Sequence, residues 1–110
     1  MITVKNHRRK RRIPYLGPVR ISWEDRGQAR FAAGRCIDIS EEGMRIEVSQ
    51  PVQAGSMVQI CADRIRVSGA ATVKRMERCG SKYLLGLQLT QAALRKAVAE
   101  LEGTPLAVVQ

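Results

Sequence analysis

Aromatic side chains are scarce in this 110-residue chain: Tyr15, Trp23, Phe31 and Tyr83 are all it has. Surfaces that bind single-stranded nucleic acid without sequence preference stack bases on exposed aromatics, and little is available here to build one. Histidine is scarcer still. His7 is the only one, no serine has a histidine partner placed by spacing, and no carboxylate pair is set by spacing. Neither GxxxxGK[ST] nor GxGxxG occurs. With no such constellation the chain reads as something other than an enzyme. Cysteine occurs three times, as Cys36, Cys61 and Cys79, an odd count at wide spacing with no CxxC pair. That argues against a disulfide framework and against a zinc site, and fits small buried or half-buried thiols in a reducing compartment. No window approaches the ~20 apolar residues of a membrane span, and no apolar run follows the N-terminal charges as a secretory signal requires. The expectation is a cytoplasmic protein with no membrane span, no metal and no cofactor.

What is abundant is positive charge, and it is unevenly spread. The net charge is +9, of which residues 1–12 supply +6 through Lys5, Arg8, Arg9, Lys10, Arg11 and Arg12 with no acid among them. The rest of the chain holds 13 basic and 10 acidic side chains and is only mildly basic. An anionic partner met at this arm is the natural reading. A membrane surface would need an amphipathic helix beside the charge, and "MITVKNH" has too few apolar residues for one. Taken alone, "NHRRKRR" (6–12) is polar, self-repelling and without apolar surface to bury, so residues 1–12 read as a flexible arm.

From residue 13 the chain reads as one domain, 13–103, with a tail at 104–110. "IPYLGP" (13–18) is an extended lead into the domain, because Pro14 and Pro18 fix φ and remove donors. Apolar residues then recur with period two over 19–24, 30–39, 44–48, 57–60, 64–76 and 83–89, with turn residues between. Gly69, inside the fifth of these, suggests a bulge or bend. About six short strands at close spacing predict an all-β antiparallel sandwich or barrel. Over "TQAALRKAVAELEG" the period changes. Leu94, Val98 and Leu101 recur at helical spacing, with Thr90 placed as N-cap and Gly103 as stop, so a C-terminal helix is expected at about 90–102.

"DISEEG" (38–43) is by itself a tight turn between strands, with Gly43 supplying a positive φ. It also has a chemical reading. Asp38 and Ser40, two apart in an extended segment, lie on one face. A carboxylate there can accept from the N1–H and N2–H₂ edge of guanine, a hydroxyl can bond to base or phosphate, and Gly43 lets backbone approach a ligand. Arginine pairs bidentately with phosphate and with the O6/N7 edge of guanine. An arginine arm facing this surface would therefore suit a guanine nucleotide carrying several negative charges.

The two motifs together resemble the PilZ domain family, whose mark is RxxxR followed some two dozen residues later by [D/N]xSxxG. Arg8 to Arg12 gives RxxxR in the fuller RRxxR form, and Asp38-Ile39-Ser40-Glu41-Glu42-Gly43 gives DxSxxG. The register is unique, because a shift by one places Ile13 at the second arginine. "GMRIE", "GAATVKRM" and "YLLGLQL" continue the resemblance over about residues 7–101, with Leu89 where the family often has an aromatic. The resemblance implies a six-stranded antiparallel β-barrel with a C-terminal helix, and a bacterial receptor for the second messenger cyclic di-GMP. By the same resemblance Arg8 and Arg12, with Arg9, grip guanine edges and phosphates, Asp38 and Ser40 hold a guanine edge, and Gly43 shapes the turn. His7, just before RxxxR, is a further contact candidate bearing on whether one ligand or a stacked pair is bound. A downstream protein partner is implied, its identity open. The competing reading is a small basic β-barrel that binds RNA or DNA nonspecifically through the arm; a third is a PilZ-like module used only for protein interaction.

Overall fold

The computed structural model of the chain describes residues 12–109, with side chains over 12–103. Of the expected arm at 1–12, residues 1–11, with His7, Arg8 and Arg9, lie outside the described residues. Seven strands and one helix follow in order: β1 (Ile13–Pro14), β2 (Pro18–Asp25), β3 (Gln28–Ser40), β4 (Gly43–Val48), β5 (Met57–Ala62), β6 (Val67–Cys79), β7 (Lys82–Gln88) and α1 (Gln91–Val109). Every pairing is antiparallel, in the order β1-β3-β2-β5-β6-β7-β4, and β4 returns to pair with β3. That last pairing closes six strands into a barrel and leaves β1 as a short extra strand on β3. Closure removes the exposed edges that an open sheet would have to protect.

Alternation decides which side of each strand forms the core. Val19 and Ile21 of β2, Met44, Ile46 and Val48 of β4, and Leu85 and Leu87 of β7 are all buried, as their period-two spacing predicts. Burying one such side chain stabilises the fold by ~1.5–3 kcal/mol. Trp23 is half-buried and packs against the same cluster. Leu89, just beyond β7, fills its core position as an aliphatic residue at 6% exposure.

The hairpins follow from their turn residues. β2 and β3 are joined by Arg26 and Gly27, both at positive φ, the pairing that a two-residue turn between twisted strands requires. β3 and β4 are joined by Glu41 and Glu42 alone, so Ser40 pairs with Gly43 and Asp38 with Arg45. Gly43 does not adopt a positive φ, contrary to expectation. The reason for glycine is steric: a Cβ there would stand 2.9 Å from the carbonyl oxygen of Leu87 on β7.

Three further expectations are corrected. The ladder runs through Gly69 in register, opposite Ile60, so no bulge sits there. The irregularity in β6 lies at Lys74, the extra residue between the pairs Val73–Leu87 and Arg75–Gly86. Residues 64–66 are not strand either. Asp63–Ile65 form a 3₁₀ turn that ends at Arg66 in the left-handed region, which delays β6 to Val67. The helix begins as predicted: Thr90 Oγ1 accepts from the Ala93 amide at 3.1 Å, the N-cap bond. It does not stop at Gly103 but runs on to Val109. Its Leu94, Ala97 and Val98 join the barrel core. No helix among the described residues is long and apolar enough to cross a membrane.

Candidate functional site

Arg12 is the last residue of the basic run, and β1 fixes where it lies. Ile13 pairs with Ile39 and Pro14 with Asp38, so Arg12 meets the barrel beside the DISEEG hairpin. The Arg12 guanidinium spreads over that hairpin. Its Nε donates to Asp38 Oδ1 at 2.8 Å, its Nη1 to Ser40 Oγ at 3.2 Å, and its Nη2 to the Gly43 carbonyl at 3.4 Å. One arginine thereby touches Asp38, Ser40 and Gly43, three of the expected site residues from a motif about 30 positions away. Ser40 Oγ also accepts from the Glu42 amide at 3.1 Å, which shapes the turn.

Asp38 is held from a second side by Arg45, a residue the sequence reading did not single out. Arg45 Nε donates to Oδ1 at 2.9 Å and to Oδ2 at 3.1 Å, and its Nη2 donates to Oδ2. Asp38 is 7% exposed, so its charge is largely withdrawn from water. Burial acts to raise its pKa, but hydrogen bonds from Arg45 and Arg12, and then their charges, more than offset it and hold the carboxyl below its ordinary value. The hydrogen bond to Asp38 in turn raises Arg45. Beneath this pair, burial and then the Asp38 charge push the Cys36 thiol up to about 12, so Cys36 stays protonated. Arg45 was legible in principle. A two-residue turn at Glu41–Glu42 places residue 45 directly opposite residue 38, on the outward side of "MRIEV".

The hairpin borders an open groove of about 410 Å³, lined among others by Arg12, Glu42, Arg45, Lys74, Arg75 and Gly86. The register builds it. Asp38 of β3 pairs with Arg45 of β4, Arg45 with Gly86 of β7, and Gly86 with Arg75 of β6. A single row thus crosses four strands, with a residue lacking a side chain between two arginines. Four cationic groups face two carboxylates, Glu42 and the shared Asp38, so the groove is net positive. It is suited to a polyanion with planar donor and acceptor edges.

A second depression of about 450 Å³ lies over β2, β3 and β5, around Arg20, Phe31 and Cys61. Its one arginine is engaged with Cys61 Sγ at 3.2 Å and Asp63 at 3.3 Å, and neither motif reaches it. Charge and motif both assign the candidate site to the first groove. Among the described residues no cluster of His, Cys, Asp and Glu could hold a metal ion. Of the three thiols, Cys36 is buried and Cys61 half-buried as expected, whereas Cys79 is exposed at the end of β6.

Comparison with known proteins agrees with this architecture. The family model of the PilZ domain matches residues 6–102. Among solved structures, the fold is similar to that of YcgR from Escherichia coli, a crystal structure in complex with c-di-GMP. The TM-score is 0.58 and the identity 14%, over 90% of this chain and 47% of that one. This chain therefore spans about half the length of YcgR. No curated protein matches it.

Proposed function

The chain belongs to the PilZ domain family, and from that membership we propose that it is a receptor for cyclic di-GMP. The observation that carries the reading is the seating of Arg12, the second arginine of RxxxR, on Asp38, Ser40 and Gly43 of DxSxxG. Two motifs distant in sequence converge on one positively charged groove. The similarity to a structure solved with c-di-GMP supports the same ligand.

In this reading the ligand lies along the groove beside Arg12. Arg8 and Arg9 reach over it from the arm and take phosphates and the O6/N7 edges of guanine. Asp38 and Ser40 keep the Arg12 guanidinium in place and offer their remaining acceptor capacity to a guanine edge. His7, just before RxxxR in the sequence, is in this reading the residue that bears on whether one molecule or a stacked pair is held. Closure of the arm changes the surface that a downstream protein meets. Hydrogen bonds to charged groups are worth ~1.5–3 kcal/mol each, and a few of them exceed the ~1–2 kcal/mol needed to order each arm residue. The protein acts by binding, with no chemical step.

Calorimetric titration tests this. Cyclic di-GMP titrated into the wild-type chain should bind saturably, Arg12→Ala should lose most of that binding, and GTP and a short RNA should give little heat. Salt-sensitive binding to RNA with no preference for the cyclic dinucleotide would overturn the reading in favour of a nonspecific nucleic-acid arm.

A further inference from the structure

The groove contains two cations that neither motif supplies. Lys74 and Arg75 are consecutive in β6, and in a regular strand consecutive side chains point to opposite faces. Here both are exposed, because Lys74 is the extra residue of the bulge. The bulge brings Arg75 into register opposite Gly86 while Lys74 stays outside, so two cations stand side by side on the groove wall. In an unbroken ladder residue 74 would have taken the place opposite Gly86, and Arg75 would have turned inward. Gly86 is fitted to the result. Its missing Cβ would lie 3.2 Å from Arg75 Cγ, so the arginine stem rests across β7. Among the described residues neither Lys74 nor Arg75 has an ion-pair or hydrogen-bond partner. Arg12 and Arg45, by contrast, are both committed to Asp38. The carboxylates at the groove, Glu42 in its lining and Asp38 bound to Arg12 and Arg45, stand at the Arg12 end.

We propose that Lys74 and Arg75 form a second anion subsite, which takes one phosphodiester of the bound cyclic dinucleotide across Gly86 from Arg12 and Arg45. This rests on the receptor reading above and adds to it the residues that hold the far side of the ligand. Arg75 presents a planar fork for two phosphate oxygens, and Lys74 a mobile point charge beside it. A ligand with phosphates at opposite ends engages both walls of the groove, and a mononucleotide engages one. The subsite therefore favours the cyclic dinucleotide over GMP.

The test is calorimetric titration of cyclic di-GMP and of GMP into the full chain, wild-type and carrying Arg75→Ala, Lys74→Ala or Arg78→Ala. Arg78 is an exposed cation of the same strand outside the groove, so its removal lowers the net charge equally. Arg75→Ala should raise the Kd for cyclic di-GMP about tenfold, with a smaller rise for Lys74→Ala and none beyond general screening for Arg78→Ala. The preference over GMP should shrink in the Arg75 variant. Wild-type binding that Arg75→Ala and Lys74→Ala weaken no more than Arg78→Ala would overturn the subsite and leave the receptor intact. No wild-type binding would overturn both.

Discussion

Replacing Asp38 with asparagine keeps the shape of the side chain and removes the charge shared by two guanidinium groups. In the wild type, Oδ1 accepts from Arg12 Nε at 2.8 Å and from Arg45 Nε at 2.9 Å. The substituted side chain could keep one acceptor, but its amide would turn a donor toward two donors. Hydrogen bonds to charged groups contribute ~1.5–3 kcal/mol each when well covered. Here the carboxylate side chain is 10% exposed, but the arginine partners are 33% and 43% exposed, so water screens part of each contact. Discounted accordingly, Asp38→Asn should cost about 2 kcal/mol at neutral pH, which lowers Tm by roughly 8–16 °C for a domain of this size. The effect should depend on pH with a definite sign. The folded Asp38 carboxyl lies below its ordinary value of 3.8. The stability it contributes is complete above the unfolded chain's pKa and is lost as pH falls through the folded pKa. Urea unfolding of both proteins across an acid series should show the gap between them closing below about pH 4. Equal midpoints at pH 7, or a gap that persists once wild-type Asp38 is protonated, would refute the shared-charge account.

Other outcomes follow from single contacts. Gly43→Ala would place a Cβ 2.9 Å from the Leu87 carbonyl. Neither strand can yield cheaply inside a closed barrel, so thermal unfolding should show a loss of about 1–3 kcal/mol, together with weaker cyclic di-GMP binding. Among the described residues the buried Tyr15 hydroxyl has no hydrogen-bond partner, so Tyr15→Phe should be neutral or stabilise by up to about 1 kcal/mol in urea unfolding; a clear destabilisation would mean the hydroxyl is satisfied. In the folded protein a thiol reagent at pH 8 should modify exposed Cys79 quickly, and Cys36, buried with its thiol pushed up to about 12, only on unfolding. Rapid labelling of Cys36 in native buffer would contradict its placement under the Arg12–Asp38 pair. Within the arm, Arg12→Ala should cost far more cyclic di-GMP affinity than Lys10→Ala or Arg11→Ala, and equal losses by calorimetry would favour a generic polybasic arm.

The barrel was legible because its information is local and periodic. Val19 and Ile21, the Met44–Val48 run and Leu85 and Leu87 each declare a face by alternation alone, and two-residue turns limit how neighbouring strands pair. What alternation does not carry is where the ladder slips. A bulge costs one residue of phase and leaves no fixed residue signature, so Gly69 drew attention while the slip lay at Lys74. Gly43 shows the same limit in another form. Its position in a turn motif suggests a backbone reason, yet its cause is the close approach of β7, some 44 positions away. Half of the candidate site was named directly from the motifs. Arg45, Lys74 and Arg75 were not, because each gains its meaning from a cross-strand neighbour.

β1 links the arm to this chemistry, although it contributes only two residues. By pairing with Ile39 and Asp38 it holds the backbone next to Arg12 against β3, so Arg12 reaches the DxSxxG hairpin from a fixed point. Arg8 is four residues further out, and an extended chain covers at most ~3.3–3.6 Å per residue. Arg8 therefore stays within about 14 Å of Arg12, whatever path the chain takes. From β1, where Arg12 lies, through β3, β4 and β7 to β6 is four strand spacings of ~4.8 Å, about 19 Å along the barrel surface. The backbone of Arg8, and still more that of Arg9, is therefore tethered to the Arg12 side of the groove, and only an extended side chain could approach the Arg75 wall. A longer spacer between the arginines and β1 would keep the charges and lose this limit. Inserting residues after Arg9 should thus weaken cyclic di-GMP binding while leaving the salt-dependent attraction to a polyanion unchanged.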